Sequence, residues 1–192
     1  EAAEAIHDRV LAGGRGGLIW HYQGTGKSLL MAFAALMLLN DDEVGGPTIV
    51  VVLDRLDLIE QIQRQFKTAG LPRVTTADTK EQLRQVLRDD QRGIVLTTIF
   101  RFEDAGELNT RDNIIVFVDE AHRTQEGRLG DDMREALPNA RFFGLTGTPI
   151  SDKERNTFKL FGDPSDPGYV MNTYTMERSI ADGASVPVHV ET

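Results

Sequence analysis

The run Thr48-Ile49-Val50-Val51-Val52-Leu53 offers no polar face. A strand of this kind must be covered on both sides, as happens in a parallel sheet with helices packed above and below it. Short apolar stretches at 17–21, 93–97, 113–119 and 140–145 make the same demand, and each is predicted as a strand. Between them lie segments with helical spacing. Leu58, Ile59, Ile62 and Phe66 recur at the intervals of one helix face within a predicted helix over 55–69. Residues 2–12, 29–39, 81–89 and 129–137 are further predicted helices, the first closed by Gly13-Gly14. This alternation predicts an α/β fold, a doubly wound, mostly parallel sheet with helices on both faces and right-handed crossovers. Residues 162–168, rich in proline, glycine and aspartate, read as a loop. The segment from Tyr169 reads as one more helix, then a last strand at 186–190.

A chain of 192 residues is long enough to bury one such core. The longest apolar runs, 29–39 and 114–118, are too short to cross a bilayer, and the opening Glu1-Ala2-Ala3-Glu4 shows no signal peptide. The chain has no cysteine, which rules out disulfides and thiolate metal sites. The expectation is a cytoplasmic protein with no membrane partner. A net charge of −9 argues against tight, autonomous binding of nucleic acid by this segment, because phosphate-gripping surfaces are basic.

Three segments carry chemistry. Gln23-Gly24-Thr25-Gly26-Lys27-Ser28 lies between a buried strand and a helix, where glycines let backbone N–H groups curl around phosphate oxygens. The helix that follows presents its positive end to the same place. Lys27 can reach the β- and γ-phosphates of a nucleotide, and the Ser28 hydroxyl can ligate Mg2+. The complete phosphate-loop pattern has glycine where this chain has His21. In the second segment, the strand ending Phe117-Val118 delivers Asp119 and Glu120 to the carboxyl edge of the sheet, where ligands bind in such folds. Asp119 suits a Mg2+ ligand, and Glu120 suits a general base for an attacking water. The third is Phe142-Phe143-Gly144-Leu145-Thr146-Gly147-Thr148-Pro149, a strand ending in two hydroxyls around a glycine. Alone, it reads equally well as a plain turn.

In this order the three segments resemble the nucleotide loop, the Asp-Glu-Ala-His box and the Thr-Gly-Thr motif of superfamily 2 helicases and translocases. The wording around them is most similar to the motor subunit of type I restriction enzymes. The similarity covers Leu18 to Ser28, Val51 to Leu58, Val95 to Phe100, Val118 to Arg123, Phe143 to Ile150, and Ile180 to Ala184. It implies a RecA-like domain with ATP and Mg2+ as ligands. Asp54, Arg55, Thr97 and Thr98 match positions that contact the DNA backbone in that family. His122, Thr146 and Thr148 match positions that couple nucleotide state to DNA binding. The family resemblance also sets the Thr146 strand between those leading to Lys27 and Asp119.

The function expected is the ATP-binding half of an ATP-dependent double-stranded DNA translocase. Residues 1–192 would form the first RecA-like motor domain of a longer protein, with 183–192 a strand leading toward the second. That second domain would supply arginines to the transferring phosphoryl group. The expected partners are duplex DNA, the second RecA-like domain, and the modification and specificity subunits of a restriction complex. The alternatives are another DEAH-type helicase or remodeller-like ATPase, a nucleotide-dependent binding module without turnover, and an inert fragment. Glu120 argues for turnover, since a non-hydrolysing switch has no need of that base.

Overall fold

The computed structural model describes residues 1–89, 91–122, 128–151 and 156–183. In chain order the elements are α1 (Ala2–Leu11), β1 (Gly16–His21), α2 (Lys27–Asn40), β2 (Thr48–Leu53), α3 (Asp57–Thr68), β3 (Val74–Thr76), α4 (Lys80–Arg88), β4 (Gly93–Thr98), β5 (Ile114–Asp119), α5 (Leu129–Ala136), β6 (Arg141–Thr146), α6 (Thr157–Phe161), β7 (Asn172–Tyr174) and α7 (Met176–Ala181). The strands form one seven-stranded sheet in the order β3-β4-β2-β5-β6-β1-β7, and every neighbouring pair is parallel.

The apolar run at β2 is buried at all six positions, as its composition demands. Successive side chains then feed two separate cores. Ile49 and Val51 join Phe117, Phe143 and Leu145 beneath α1, α2 and α3. Val50 and Val52 join Val116, Val118 and Phe142 beneath α4, α5 and α6. Both faces of the sheet are thereby covered. Across β5 and β6 the rings of Phe117 and Phe143 meet edge to face at 6.1 Å. The start of α4 is fixed by a reciprocal cap, in which Thr79 accepts from the Gln82 backbone while the Gln82 side chain accepts from the Thr79 N–H.

The predicted elements are present with shifted ends: α2 begins at Lys27, two residues early, and β4 runs on to Thr98. Three elements depart from expectation. β3 is a three-residue edge strand, Val-Thr-Thr, too short and polar to stand out. α6 is a single short helix whose Asn156 side chain accepts from Lys159 N–H. β7 precedes α7 and extends the sheet beside β1, in a segment expected to begin as helix. The strand expected at 186–190 lies outside the described residues. Among those that are described, no helix is long and apolar enough to cross a membrane.

Phe143 is fully buried at the centre of the first core. Phe143→Ala should lower the unfolding free energy by about 3–5 kcal/mol, read from the shift in denaturant midpoint. A loss below about 1 kcal/mol would mean that this layer is loosely packed.

Candidate nucleotide site

Strand order decides where the chemistry-bearing residues meet. β6 lies between β5 and β1, so the strand ends carrying Asp119, Thr146 and His21 stand side by side. β2 flanks β5 on the other side and brings Asp54-Arg55 to the same edge. The expected neighbourhood of the Thr146 strand is therefore present.

β1 passes directly into a loop that turns at Gly24 and Gly26, with φ of 83° and 80°. That left-handed geometry suits residues without a Cβ. Thr25 closes the turn from its backbone and hydroxyl, both donating to the Tyr22 carbonyl at 3.3 and 2.5 Å. Gly26 caps α2, whose first residue, Lys27, is 9% exposed. Gln23 and Gly24 remain open to solvent, and Ser28 is half-buried.

Glu120 follows β5 at φ 48°, a left-handed conformation for a residue bearing a side chain. Such geometry costs about 1–3 kcal/mol and persists only where surroundings enforce it. Here the Ala121 N–H donates to the Leu145 carbonyl at 3.0 Å, which ties the turn to β6. The Glu120 carboxylate lies 3.8 Å from Lys27 Nζ through one oxygen and 3.4 Å from His122 Nδ1 through the other. His122 Nδ1 is also 2.9 Å from Thr146 Oγ1, which accepts from the Thr148 N–H at 3.1 Å. Lysine, carboxylate, imidazole and hydroxyl thus form one connected line along the sheet edge.

Beside it, Asp119 has its carboxyl pushed up to about 6. Burial is the main cause and the neighbouring Glu120 carboxylate adds to it, while Lys27 pulls the other way. Its Oδ1 is buried without a hydrogen-bond partner. An unpartnered carboxylate oxygen beside an opening lined by Ser28 fits a divalent cation that arrives with phosphate oxygens. Among the described residues no group of three or more His, Asp or Glu converges as a metal site; Ser28 and Asp119, which both line the cleft, are the residues that would hold the cation.

These residues line a cleft of about 500 Å3 that also takes in Gly147, Thr148, Asp54 and Arg55. Its far wall is α3, through Leu58, Gln61 and Gln65, with Leu29 of α2 alongside. Sequence periodicity places Gln61 and Gln65 on the polar face of an amphipathic helix, and nothing in their spacing marks them as cleft residues. His21, at the position where the phosphate-loop pattern has glycine, turns away into the sheet. Its Nε2 lies 2.7 Å from Asn172 Oδ1 of β7, and burial holds its pKa below the ordinary histidine value. The departure from the pattern is therefore accommodated by β7.

The remaining expected contacts separate. Arg55 is exposed and forks onto Asp57 at 3.1 and 2.7 Å. With Thr98, Phe100 and Arg101, Asp54 and Arg55 border a second hollow of about 440 Å3. Thr98 is buried with its hydroxyl unpartnered, whereas Thr97 is fully buried and donates to the Ala77 carbonyl at 3.1 Å. The Thr97 side chain belongs to the sheet interior and is not available to DNA. The side chain of Arg123 lies outside the described residues.

The model of one family, SWI2/SNF2 ATPase, matches residues 1–192, the whole chain. The chain belongs to the SWI2/SNF2 ATPase family. It is 40% identical over 194 residues to the type I restriction enzyme HindI endonuclease subunit of Haemophilus influenzae. That match covers 90% of this chain and 18% of the relative, so the chain spans less than a fifth of it. Among solved structures, the Pyrococcus furiosus Hef helicase domain superposes with a TM-score of 0.70 at 20% identity, covering 98% of this chain and 41% of that one. A nuclease-deletion mutant of the Type ISP restriction-modification enzyme LlaGI, in complex with a DNA substrate mimic, gives 0.61 at 16%, covering 95% and 20%. At these identities the two structures speak to the fold alone, a RecA-like α/β domain. Members of this ATPase family bind nucleotide, and the chain is a helicase-like motor domain similar to type I restriction-enzyme endonuclease subunits.

The raised Asp119 pKa sets a sign for stability. A carboxyl raised in the folded state contributes stability that is fully present below its unfolded value of 3.8 and lost as pH rises through about 6. With chelator present, Asp119→Asn should raise Tm at about pH 7.5 and leave it nearly unchanged at about pH 4. A lower Tm at the higher pH would show that the ionised carboxylate is not penalised in the fold.

Proposed function

We propose that this chain is the first motor domain of an ATP-driven translocase acting on double-stranded DNA, as the motor part of a type I restriction enzyme. The observation that carries the reading is Glu120 held between Lys27 and His122 at the mouth of the phosphate loop. A carboxylate so placed serves as the base for water, and the lysine serves the phosphates.

In this reading the loop from Gln23 to Ser28 wraps the triphosphate with its backbone N–H groups, and Lys27 neutralises the β- and γ-phosphates. Mg2+, held by Ser28 and Asp119, supplies further neutralisation of the phosphate oxygens when bound. Glu120 takes the proton from water as its oxygen bonds to the γ-phosphorus. The bond from that phosphorus to the bridging oxygen breaks, releasing ADP and phosphate. His122, Thr146 and Thr148 relay the state of the γ-phosphate along the sheet edge. Asp54 and Arg55 face the DNA backbone from the neighbouring hollow, whereas Thr98 lies buried beneath them and supports that edge without reaching DNA.

The longer protein would supply the rest: a second RecA-like domain reached through residues 183–192, with arginines that close on the γ-phosphate, and the modification and specificity subunits. The share of the relative's length covered, 18%, leaves ample chain for the former. The net charge of −9 is consistent with DNA being gripped mainly by those other parts.

ATP hydrolysis by the full-length protein, with and without duplex DNA, tests the reading. Wild type should be stimulated by DNA, and Glu120→Gln should lose about 100- to 10,000-fold in kcat while still binding ATP. Lys27→Ala should lose binding itself. ATP binding with no stimulation by any duplex would leave a nucleotide-gated binding module instead of a translocase.

A further inference from the structure

Trp20, the chain's single tryptophan, has no part in the chemistry above, yet it touches the apparatus from behind. It is the penultimate residue of β1, in register with Thr146 of β6 on one side and Thr173 of β7 on the other. Although 40% exposed, its indole Nε1 donates to the carbonyl of Gly147 at 3.2 Å. Its ring stands edge-on to Phe158 of α6, with centroids 6.2 Å apart and planes at 80°.

Gly147 is pressed from the other side as well. A Cβ at that position would lie 3.1 Å from Gln23 N and 3.4 Å from the His21 carbonyl oxygen, so its backbone rests directly on the entry to the phosphate loop. The residue before it, Thr146, holds His122, which in turn meets Glu120. The turn that bears Thr146 and Thr148 is therefore clamped between an indole N–H and the loop backbone. Trp20 is only seven residues from Lys27 along the chain, so loop movement and turn movement share one anchor.

We infer that Trp20 is a positioning residue: through Gly147 it sets the height of the Thr146–Thr148 turn against the phosphate loop, and so the register of His122 and Glu120 with bound nucleotide. This rests on the ATPase reading above. Phe158 stiffens the indole, and the N–H is its working group. A phenylalanine at position 20 keeps an aromatic ring for that packing and removes the donor.

The test uses the full-length protein, with ATP and a non-hydrolysable ATP analogue as probes. Trp20→Phe should bind the analogue with affinity within about twofold of wild type, with kcat reduced about tenfold and KM for ATP little changed. Retained binding itself reports that the variant is folded. In wild type labelled with 5-fluorotryptophan, the 19F resonance that Trp20→Phe abolishes should shift on adding the analogue, and should not shift in Lys27→Ala. Wild-type kcat in Trp20→Phe, together with an unmoved resonance while the analogue binds, overturns the inference and leaves the ATPase reading standing. Failure of wild type to bind the analogue at all overturns both.

Discussion

Everything at the site depends on three adjacent parallel strands ending at one edge. Because β6 is inserted between β5 and β1, the Asp119-Glu120 pair, the Thr146 hydroxyl and the approach to Lys27 share one line of strand ends. The result is an ion pair across a cleft, Lys27 to Glu120 at 3.8 Å, with both partners largely buried. Lys27 is fixed by the first turn of α2, and Glu120 by a left-handed turn tied to β6. A charge pair that is half-buried and not fully closed leaves room for a stronger anion, and a polyphosphate is such an anion.

Electrostatics around that pair are deliberately uneven. Burial, with the Glu120 carboxylate adding to it, pushes the Asp119 carboxyl up to about 6, and its Oδ1 has no hydrogen-bond partner. Buried polar atoms of this kind are rare and call for an explanation. A divalent cation would give that oxygen the partner the protein does not supply. His122 couples this balance to Thr146, and the same strand carries the backbone that Trp20 holds.

Much of this was legible from residue order. The run at β2 requires coverage on both faces, and the two cores deliver it. Gly24 and Gly26 mark the loop because their conformation is intrinsic to the residue. Contacts made across strand order were harder to read. Nothing in Val74-Thr75-Thr76 or Asn172-Thr173-Tyr174 outweighs local propensity, and both strands form because a neighbouring strand offers its hydrogen bonds. His21 in place of glycine becomes intelligible only once β7 supplies Asn172. The adjacent threonines 97 and 98 look alike in sequence, yet pleating gives one hydroxyl to Ala77 and leaves the other unpartnered beside the Arg55 hollow. Gln61 and Gln65 line the cleft only because α3 lies over the strand ends.

The central claim is that the cleft between the Lys27 loop and Glu120 is where a nucleoside triphosphate is bound for hydrolysis. A crystal structure with a non-hydrolysable ATP analogue and Mg2+ tests it most directly. The triphosphate should lie along Gln23 to Ser28, with Lys27 turned onto its oxygens and separated from Glu120 by more than 3.8 Å. An analogue bound elsewhere, or an undisturbed Lys27–Glu120 pair with nucleotide present, would contradict it.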